Sequence, residues 1–468
     1  MTLGYRWKNA QDVASALAGS RSSAERERWP RERLKSFQHE RLSALVEHAT
    51  SHSAFYRDLY GGRLSRSDVR LEQLPAVTKS MMMDHLDEFV TSPRLHCSAL
   101  EQHLQQVGAS DELFLDEYRV MASGGSSGRK GIYVYDRSAW RGFLDGALRW
   151  SRMMGLTPRL PRRRRLAQIA APDVKHMTCR GAASMSVGLF LPLRLSATQP
   201  IDELVSKLNE QQPDALTGYP SVLDLLATEQ LEGRLRIAPA IVSTTSEVRT
   251  EQMTERMRKA WGREPFNCLG LTETGITATD CSEHCGLHIY EDRCIFEVVD
   301  ENGRPVAPGQ PGHKVLITNL YNWSQPFIRF EITDLVSVSE DPCACGRTFA
   351  RIIALEGRSD DILEMRREGG GTVKVHPIHL RSPLAAVAAV SQYQIEQTDS
   401  GLDVTLALSR GAAENEVRSA VERTLHDRLC ELGAVRPTIR VKVVPGIARE
   451  EGAGKFKLIK AARPHAAA

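Results

Sequence analysis

YRVMASGGSSGRKGIYVYD, residues 118–136, is the stretch on which the fold turns. Its centre, 121–131, holds four glycines, three serines and two adjacent cations, Arg129 and Lys130. Glycines let successive backbone N–H groups converge on an anion, and serine hydroxyls add donors. A polyphosphate needs that set together with a cation. No GxxxxGK[ST] pattern can be drawn here, and the flanks YRVMA and GIYVYD both read as strands, so no helix N-terminus follows and the loop is not a Walker A. Read alone, it is either a phosphate cradle or a plain hairpin tip.

The chain has 468 residues, 41% of them hydrophobic, which is enough for more than one domain with a sizeable core. Sixty-one basic residues against 58 acidic ones leave a formal charge of +3, which gives no electrostatic case for nucleic-acid or membrane-surface binding. The N-terminus MTLGYRWKNAQDV lacks an apolar h-region, and no apolar run reaches the length of a membrane span. A cytoplasmic protein is expected. Nine cysteines in a long chain of this kind argue for free thiols or metal ligands rather than a disulfide framework.

From about Arg31 to Tyr60, apolar residues recur at three- and four-residue steps, which predicts helix. In the middle, LAQIAAP (166–172), DALTGYP (214–220), APAIVSTTS (238–246) and PFNCLGLT (265–272) each read as a strand ending in a small or polar turn. Such runs between helices predict an α/β core with a buried, largely parallel sheet, its functional loops at the carboxyl ends of the strands. From Leu287 the pattern changes, and CIFEVVD with HKVLITNL predicts a long β-hairpin. Beyond GRSDDIL (357–363), the strands VSQYQIEQ, LDVTLAL and TIRVKVV with a helix around 414–432 predict a small α+β domain. The expected division is 1–359 and 360–468. PRLPRRRRL (158–166) is the only charge run and reads as a solvated loop.

Four further stretches follow the glycine-serine loop in order: STTSE (243–247), LGLTETG (269–275), PFIRFEITD (326–334) and LEGRSDD (355–361), with GAGKFKL (452–458) near the end. Together with the helical N-terminus ending SAFYRDLY and the run GLHIYED, they resemble the adenylate-forming (acyl-CoA synthetase) superfamily and, within it, the phenylacetate–CoA ligase-like branch. The resemblance covers nearly the whole chain. It implies a large adenylate-forming domain with mixed and parallel sheets and a hairpin-rich subdomain, followed by a small mobile α+β domain. It also implies a reaction: a carboxylate attacks the α-phosphate of Mg-ATP, pyrophosphate leaves, and the acyl-adenylate passes its acyl group to a second nucleophile, usually CoA.

The resemblance assigns roles residue by residue. Ser123, Gly125, Ser126, Ser127, Gly128 and Lys130 would hold the β- and γ-phosphates, with Arg129 and Lys130 standing where the family has Lys-Pro. Thr272 would touch the α-phosphate and Glu273 would ligate magnesium. Glu247 and the Leu269–Gly270 backbone would line the adenine site, where Leu269 takes the place of a usual aromatic. Asp334 would accept both ribose hydroxyls, Arg358 would support ribose and phosphates, and Asp360 would be the pivot of the small domain. Lys455 would reach the reacting carboxylate and the α-phosphate. His176 and Tyr219 fall where the family builds its acyl pocket, which suits an aryl or hydroxylated acid, although each is equally an ordinary packed residue. The loop around Gly369–Gly371 does not match the one that guides CoA, so an amine or a carrier-protein thiol stands beside CoA as acceptor. A nucleotide-binding pseudoenzyme is the remaining alternative, and a homodimer is possible.

DCSEHCGLH (280–288) and CAC (343–345) offer soft ligands in two short clusters. Thiolates and an imidazole in a set of four suit a closed structural zinc site. The expected ligands are Cys281, His288, Cys343 and Cys345, a spacing that resembles a zinc site in some members of the branch, with Cys285 or His284 able to replace one of them.

Overall fold

The computed structural model describes residues 3–61, 69–107, 112–123, 130–158, 161–171, 173–185, 190–367, 369–385, 387, 389–435, 437–449 and 455–462. The chain divides into two compact units. The first is Met1–Ile332 with Val336–Ala354 and Gly452–Gly454; the second is Thr333–Leu335 with Leu355–Glu451 and Lys455–Ala468. The break at Ala354–Leu355 lies slightly ahead of the 359/360 division drawn from the sequence.

In the first unit, β1 (Arg119–Ala122) and β2 (Ile132–Tyr135) form an antiparallel pair. The strands β3 (Arg165–Ala170), β4 (Leu191–Ser196), β5 (Ala215–Gly218), β6 (Ile241–Thr245) and β7 (Phe266–Leu271) then run parallel in the order β4-β3-β5-β6-β7. Every residue of β5 and β6 is buried, the polar Thr217, Ser243, Thr244 and Thr245 included, as strands covered on both faces require. The connecting helices obey local rules. Pro220–Leu231 starts with proline at its first position, and Glu251–Trp261 is capped by Thr250, whose Oγ1 accepts from Met253 N at 3.2 Å. The four core strands agree with the sequence reading. The edge strand β4 was not foreseen, because LPLRLS is largely exposed and carries no clean apolar pattern.

Past β7 the sheet turns antiparallel through β8 (Gly275–Thr279) and β9 (Leu287–Ile289). The expected hairpin is β10 (Cys294–Val299) and β11 (Lys314–Asn319), in register from Cys294↔Asn319 to Val299↔Lys314, with β12 (Phe330–Ile332) beside β11. Next come β13 (Asp334–Ser339) and β14 (Arg351–Arg358), and the full sheet has nine strands in the order β13-β14-β9-β8-β7-β6-β5-β3-β4.

The expected helix over 31–60 is two helices, Arg31–His52 and Ala54–Leu59. They break at Ser53, whose Oγ accepts from Tyr56 N at 3.3 Å and donates to Glu88 O at 2.8 Å. A further helix, Leu3–Arg26, precedes them and gave no sequence signal. Its buried positions are apolar Tyr5, Val13 and Ala16 interleaved with polar Asn9, Asp12 and Ser23, with Glu27 just beyond, so no continuous apolar stripe marks it. Ion pairs help to dock it. Asp12 pairs with Arg137 at 2.9 Å and Arg141 at 3.1 Å. Glu27 pairs with Arg149 at 3.2 Å and Arg347 at 2.7 Å, and also meets Arg152. Arg149, fully buried in the helix Arg137–Met153, donates through both terminal nitrogens to Asp292 at 2.7 and 2.8 Å, and Arg26 Nε donates to the same carboxylate at 2.7 Å. Burial alone would push Asp292 up; Arg149, with Arg293 and Arg26, overrides it and holds the carboxyl far below the usual range.

The second unit holds the hairpin β15 (Leu363–Arg366) and β16 (Thr372–Val375). It also holds a sheet in the order β19-β18-β17-β20, formed by β17 (Val390–Thr398), β18 (Gly401–Leu408), β19 (Thr438–Val443) and β20 (Ile459–Lys460). The helix Glu414–Glu431 buries Val417, Val421, Leu425 and Leu429 against it, at the four-residue spacing of one helix face. Among the described residues, no helix is long and apolar enough to cross a membrane.

Candidate active site and cysteine cluster

The glycine-serine loop closes the β1–β2 hairpin, in register up to Ala122↔Ile132. Ser123 N donates to Gly131 O at 3.0 Å, and Gly131 N donates back to Ser123 Oγ at 3.3 Å. Lys130 is exposed. Gly125, Ser126, Ser127, Gly128 and Arg129 lie outside the described residues.

Thr272 and Glu273 form the turn between β7 and β8, where the sheet passes from parallel to antiparallel. Its three carbonyls are each held by a side chain. Tyr135 Oη donates to Thr272 O at 2.8 Å, Asn319 Nδ2 to Glu273 O at 2.8 Å, and Tyr321 Oη to Thr274 O at 2.7 Å. Tyr133 Oη donates to the Glu273 carboxylate at 2.8 Å. Burial pushes the Tyr321 phenol up to about 12 and Tyr135 well above its usual value, so both remain donors at neutral pH. Gly275 closes the turn with φ of 66°; a Cβ there would stand 2.7 Å from the Phe143 ring and 2.9 Å from Tyr321 Oη. The four supporting side chains were missed by the sequence reading. A signal existed for two of them: Tyr133 and Tyr135 sit two apart on β2 and so share one face.

Glu247 follows β6, past Ser246, which takes φ of 71°. Its carboxylate accepts from Ser221 N at 3.2 Å and Ser221 Oγ at 2.6 Å, tying the carboxyl end of β6 to the start of the helix Pro220–Leu231. Leu269 is buried and Gly270 exposed, with a register shift between them on β7. Tyr219 is 1% exposed within the core packed around β3 and β5, and its hydroxyl accepts from Ala171 N at 3.0 Å. His176 caps the helix Met177–Ser184 and is half-buried.

In the second unit, Asp334, Arg358, Asp360 and Lys455 come together. Arg358 Nε lies 4.0 Å from Asp334 Oδ2, an oxygen with no hydrogen-bond partner among the described residues. Burial pushes the Asp334 carboxyl up, and the charges of Arg358 and Lys455 oppose that. Asp360 accepts from Thr333 Oγ1 at 3.3 Å. Lys455 opens a segment fixed by Lys457 Nζ to Asp361 at 3.1 Å, by Gln394 Nε2 to Lys457 O at 2.9 Å, and by the pairing of Ile459 with Ile395.

Cys281, His288, Cys343 and Cys345 gather in the first unit, their ligand atoms all within 4.8 Å of one another. Cys281 Sγ and Cys343 Sγ are 3.8 Å apart, and Cys345 Sγ is 3.4 Å from His288 Nε2. His288 Nδ1 donates to Phe349 O at 3.2 Å, because a carbonyl can only accept; that leaves Nε2 as the lone pair facing the sulfurs. Burial holds the His288 imidazole down to about 4, so it is neutral at ordinary pH, as a metal ligand must be. Sulfurs about 2.3 Å from a tetrahedral ion stand about 3.8 Å apart, so the donor set fits such an ion. Cys285 Sγ lies 3.4 Å from Cys343 Sγ, and His284 Nδ1 is engaged by Asp280 at 2.8 Å.

No family model matches the chain. It is 26% identical over 439 residues to the phenylacetate-coenzyme A ligase of Thermus thermophilus, covering 90% of this chain and 91% of that one. Protein CapK of Staphylococcus aureus is 20% identical over 421 residues, 82% of this chain and 80% of its own. Among solved structures, 2-hydroxyisobutyryl-CoA ligase in the postadenylation state, in complex with R3-HIB-AMP, matches with a TM-score of 0.73 at 21% identity, covering 94% of this chain and 92% of that one. The first relative bears out the resemblance read from the motifs, and the ligase structure bears out the fold.

Proposed function

We propose that this chain uses ATP to activate a carboxylic acid, of the aryl or arylacetic class, as an acyl-adenylate with release of pyrophosphate, and then passes the acyl group to CoA. The observation that carries this reading is the Thr272–Glu273 turn, whose three carbonyls and one carboxylate are fixed by four side chains. Charge developing on the α-phosphate is best met by groups already in place, since they need no reorganisation as the reaction proceeds. Thr272 supplies the hydroxyl at that phosphate and Glu273 the carboxylate for magnesium; the ion, when bound, neutralises phosphate charge. Glu247, Leu269 and Gly270 line the base site, and the orphan oxygen of Asp334 suits a ribose diol. Ser123, Lys130 and the loop between them take the β- and γ-phosphates, and Lys455 takes the acid and the α-phosphate. The deciding measurement is acid-dependent exchange of labelled pyrophosphate into ATP across aryl, arylacetic, amino and short-chain acids. Exchange with an aryl or arylacetic acid supports the reading, and its absence with every acid removes the catalytic claim. Product analysis with CoA, amines and a carrier protein then identifies the acceptor.

Tyr133→Phe isolates the support of Glu273. A hydrogen bond to a charged group contributes about 1.5–3 kcal/mol, so exchange should fall roughly ten- to a hundredfold and need more magnesium, with the melting temperature lower by only a few degrees. A variant identical to the parent across a magnesium titration would show that Tyr133 does not position the carboxylate.

The cysteine cluster is proposed as a structural zinc site held by Cys281, His288, Cys343 and Cys345, with no role in the chemistry. It ties the β8–β9 loop to the segment before β14. Elemental analysis should find about one zinc per chain, as a single closed site requires, and a chelator should lower the melting temperature. A metal-free chain of unchanged stability would remove this assignment.

A further inference from the structure

Five soft donors surround a site that needs four. The surplus one is Cys285, and its placement is shaped by the backbone. His284, just before it, takes φ of 48°. Gly286, just after it, takes φ of 121° and passes so close to β14 that a Cβ would stand 2.7 Å from Ile352 O. Arg351 Nη1 donates to the Cys285 carbonyl at 2.6 Å and to its sulfur at 2.8 Å, fixing the side chain in place. The result is an exposed residue whose sulfur lies 3.4 Å from Cys343 Sγ; Cys343 and Cys281 are buried and Cys345 is half-buried. Oxidant from solvent therefore meets Cys285 first, and the nearest sulfur able to resolve the product belongs to the ligand set.

We propose that Cys285 and Cys343 are a peroxide-sensitive pair that closes to a disulfide and takes Cys343 out of the donor set. In the first step the O–O bond of hydrogen peroxide breaks; one oxygen ends on Cys285 as a sulfenic acid and the other leaves as water. In the second, the Cys343 sulfur attacks, the S–S bond forms and the S–O bond breaks. The hydroxyl leaves as water with one proton, from the Cys343 thiol or, when that sulfur is a thiolate, from solvent. Two electrons pass from the sulfur pair to the peroxide. Loss of one of four ligands then frees the ion; this consequence rests on the zinc reading, whereas the disulfide does not.

The full chain is treated with hydrogen peroxide, blocked with iodoacetamide and digested, while a chromogenic chelator follows zinc. The expected result is a Cys285–Cys343 linked peptide in the parent, with zinc released in step. Cys285→Ser should bind zinc as the parent does, give no linked peptide and release zinc at least about tenfold more slowly, since the first thiol on the oxidation ladder is missing. Cys430→Ser, which removes an exposed cysteine of the second unit, should behave as the parent. Recovery of Cys285 only as sulfinic or sulfonic acid, its linkage to another cysteine, or equally fast zinc release from Cys285→Ser overturns the proposal. A linked peptide from a chain that never held zinc supports the disulfide and retires the metal reading alone. A zinc-loaded chain with no linkage does the reverse.

Discussion

Lys455→Ala should slow acid-dependent pyrophosphate exchange by about a thousandfold or more, the scale expected when a fixed charge at a reacting phosphate is lost. Transfer to CoA from preformed adenylate should change only a few-fold. The physical case begins with the segment that carries the lysine. Phe456 is 8% exposed, Lys457 pairs with Asp361, and Ile459 adds a strand beside β17, so Lys455 stands on an anchored strap. Holding a long cationic side chain in one place costs rotamer entropy, and a surface lysine on a loose tail would not incur that cost. Its charge is felt by the Asp334 carboxyl, whose proposed role is at the ribose. Only adenylate formation needs a cation at the α-phosphate, so the two half-reactions separate the proposed role from a structural one. Equal loss in both would make Lys455 part of the scaffold.

The second large effect lies away from the chemistry. Arg149→Met should destabilise the first unit by about 3–5 kcal/mol, because Asp292 is left buried with one cation fewer. Arg149 is fully enclosed and contributes two of the three short bonds to that carboxylate. The double change Arg149→Met with Asp292→Leu should recover a large part of the loss, since it removes the stranded charge. The effect has a pH signature. A carboxyl held below its unfolded value of 3.8 gives stability that is present above that pH and is lost as pH falls through the folded value. The melting-temperature gap between parent and Arg149→Met should therefore be full at neutral pH and narrow below about pH 3.8. A gap that is the same in acid would mean that packing, and not the ion pair, is what the substitution removes.

What was legible in the sequence follows what is local or periodic. Strands β3, β5, β6 and β7 stood out because each is a short apolar-rich run that ends in a small or polar turn. The turn at Thr272–Glu273 stood out because its residues are consecutive. Its supports did not, because Tyr133, Tyr135, Asn319 and Tyr321 come from two other segments and meet only in the fold. The first helix was hidden for the opposite reason: its inward face mixes apolar Tyr5, Val13 and Ala16 with polar Asn9, Asp12 and Ser23, which breaks the stripe that hydrophobic periodicity detects. The four clustered cysteine and histidine side chains were legible from their short spacings, and Cys285, the fourth sulfur, was legible as a substitute ligand, while its seat beside Cys343 appears only in the fold.

The ion-paired face of Leu3–Arg26 also sets a timetable for synthesis. Its counter-ions lie at Arg137, Arg149, Asp292 and Arg347, all made after it, so the segment cannot seat until all of them have left the ribosome. At about 5–20 residues per second the wait is on the order of tens of seconds. An apolar face exposed for that long would invite wrong partners and aggregation. The inward face of this helix mixes Tyr5, Val13 and Ala16 with Asn9, Asp12 and Ser23, with Glu27 just beyond, so its polar members keep it hydrated until its partners arrive.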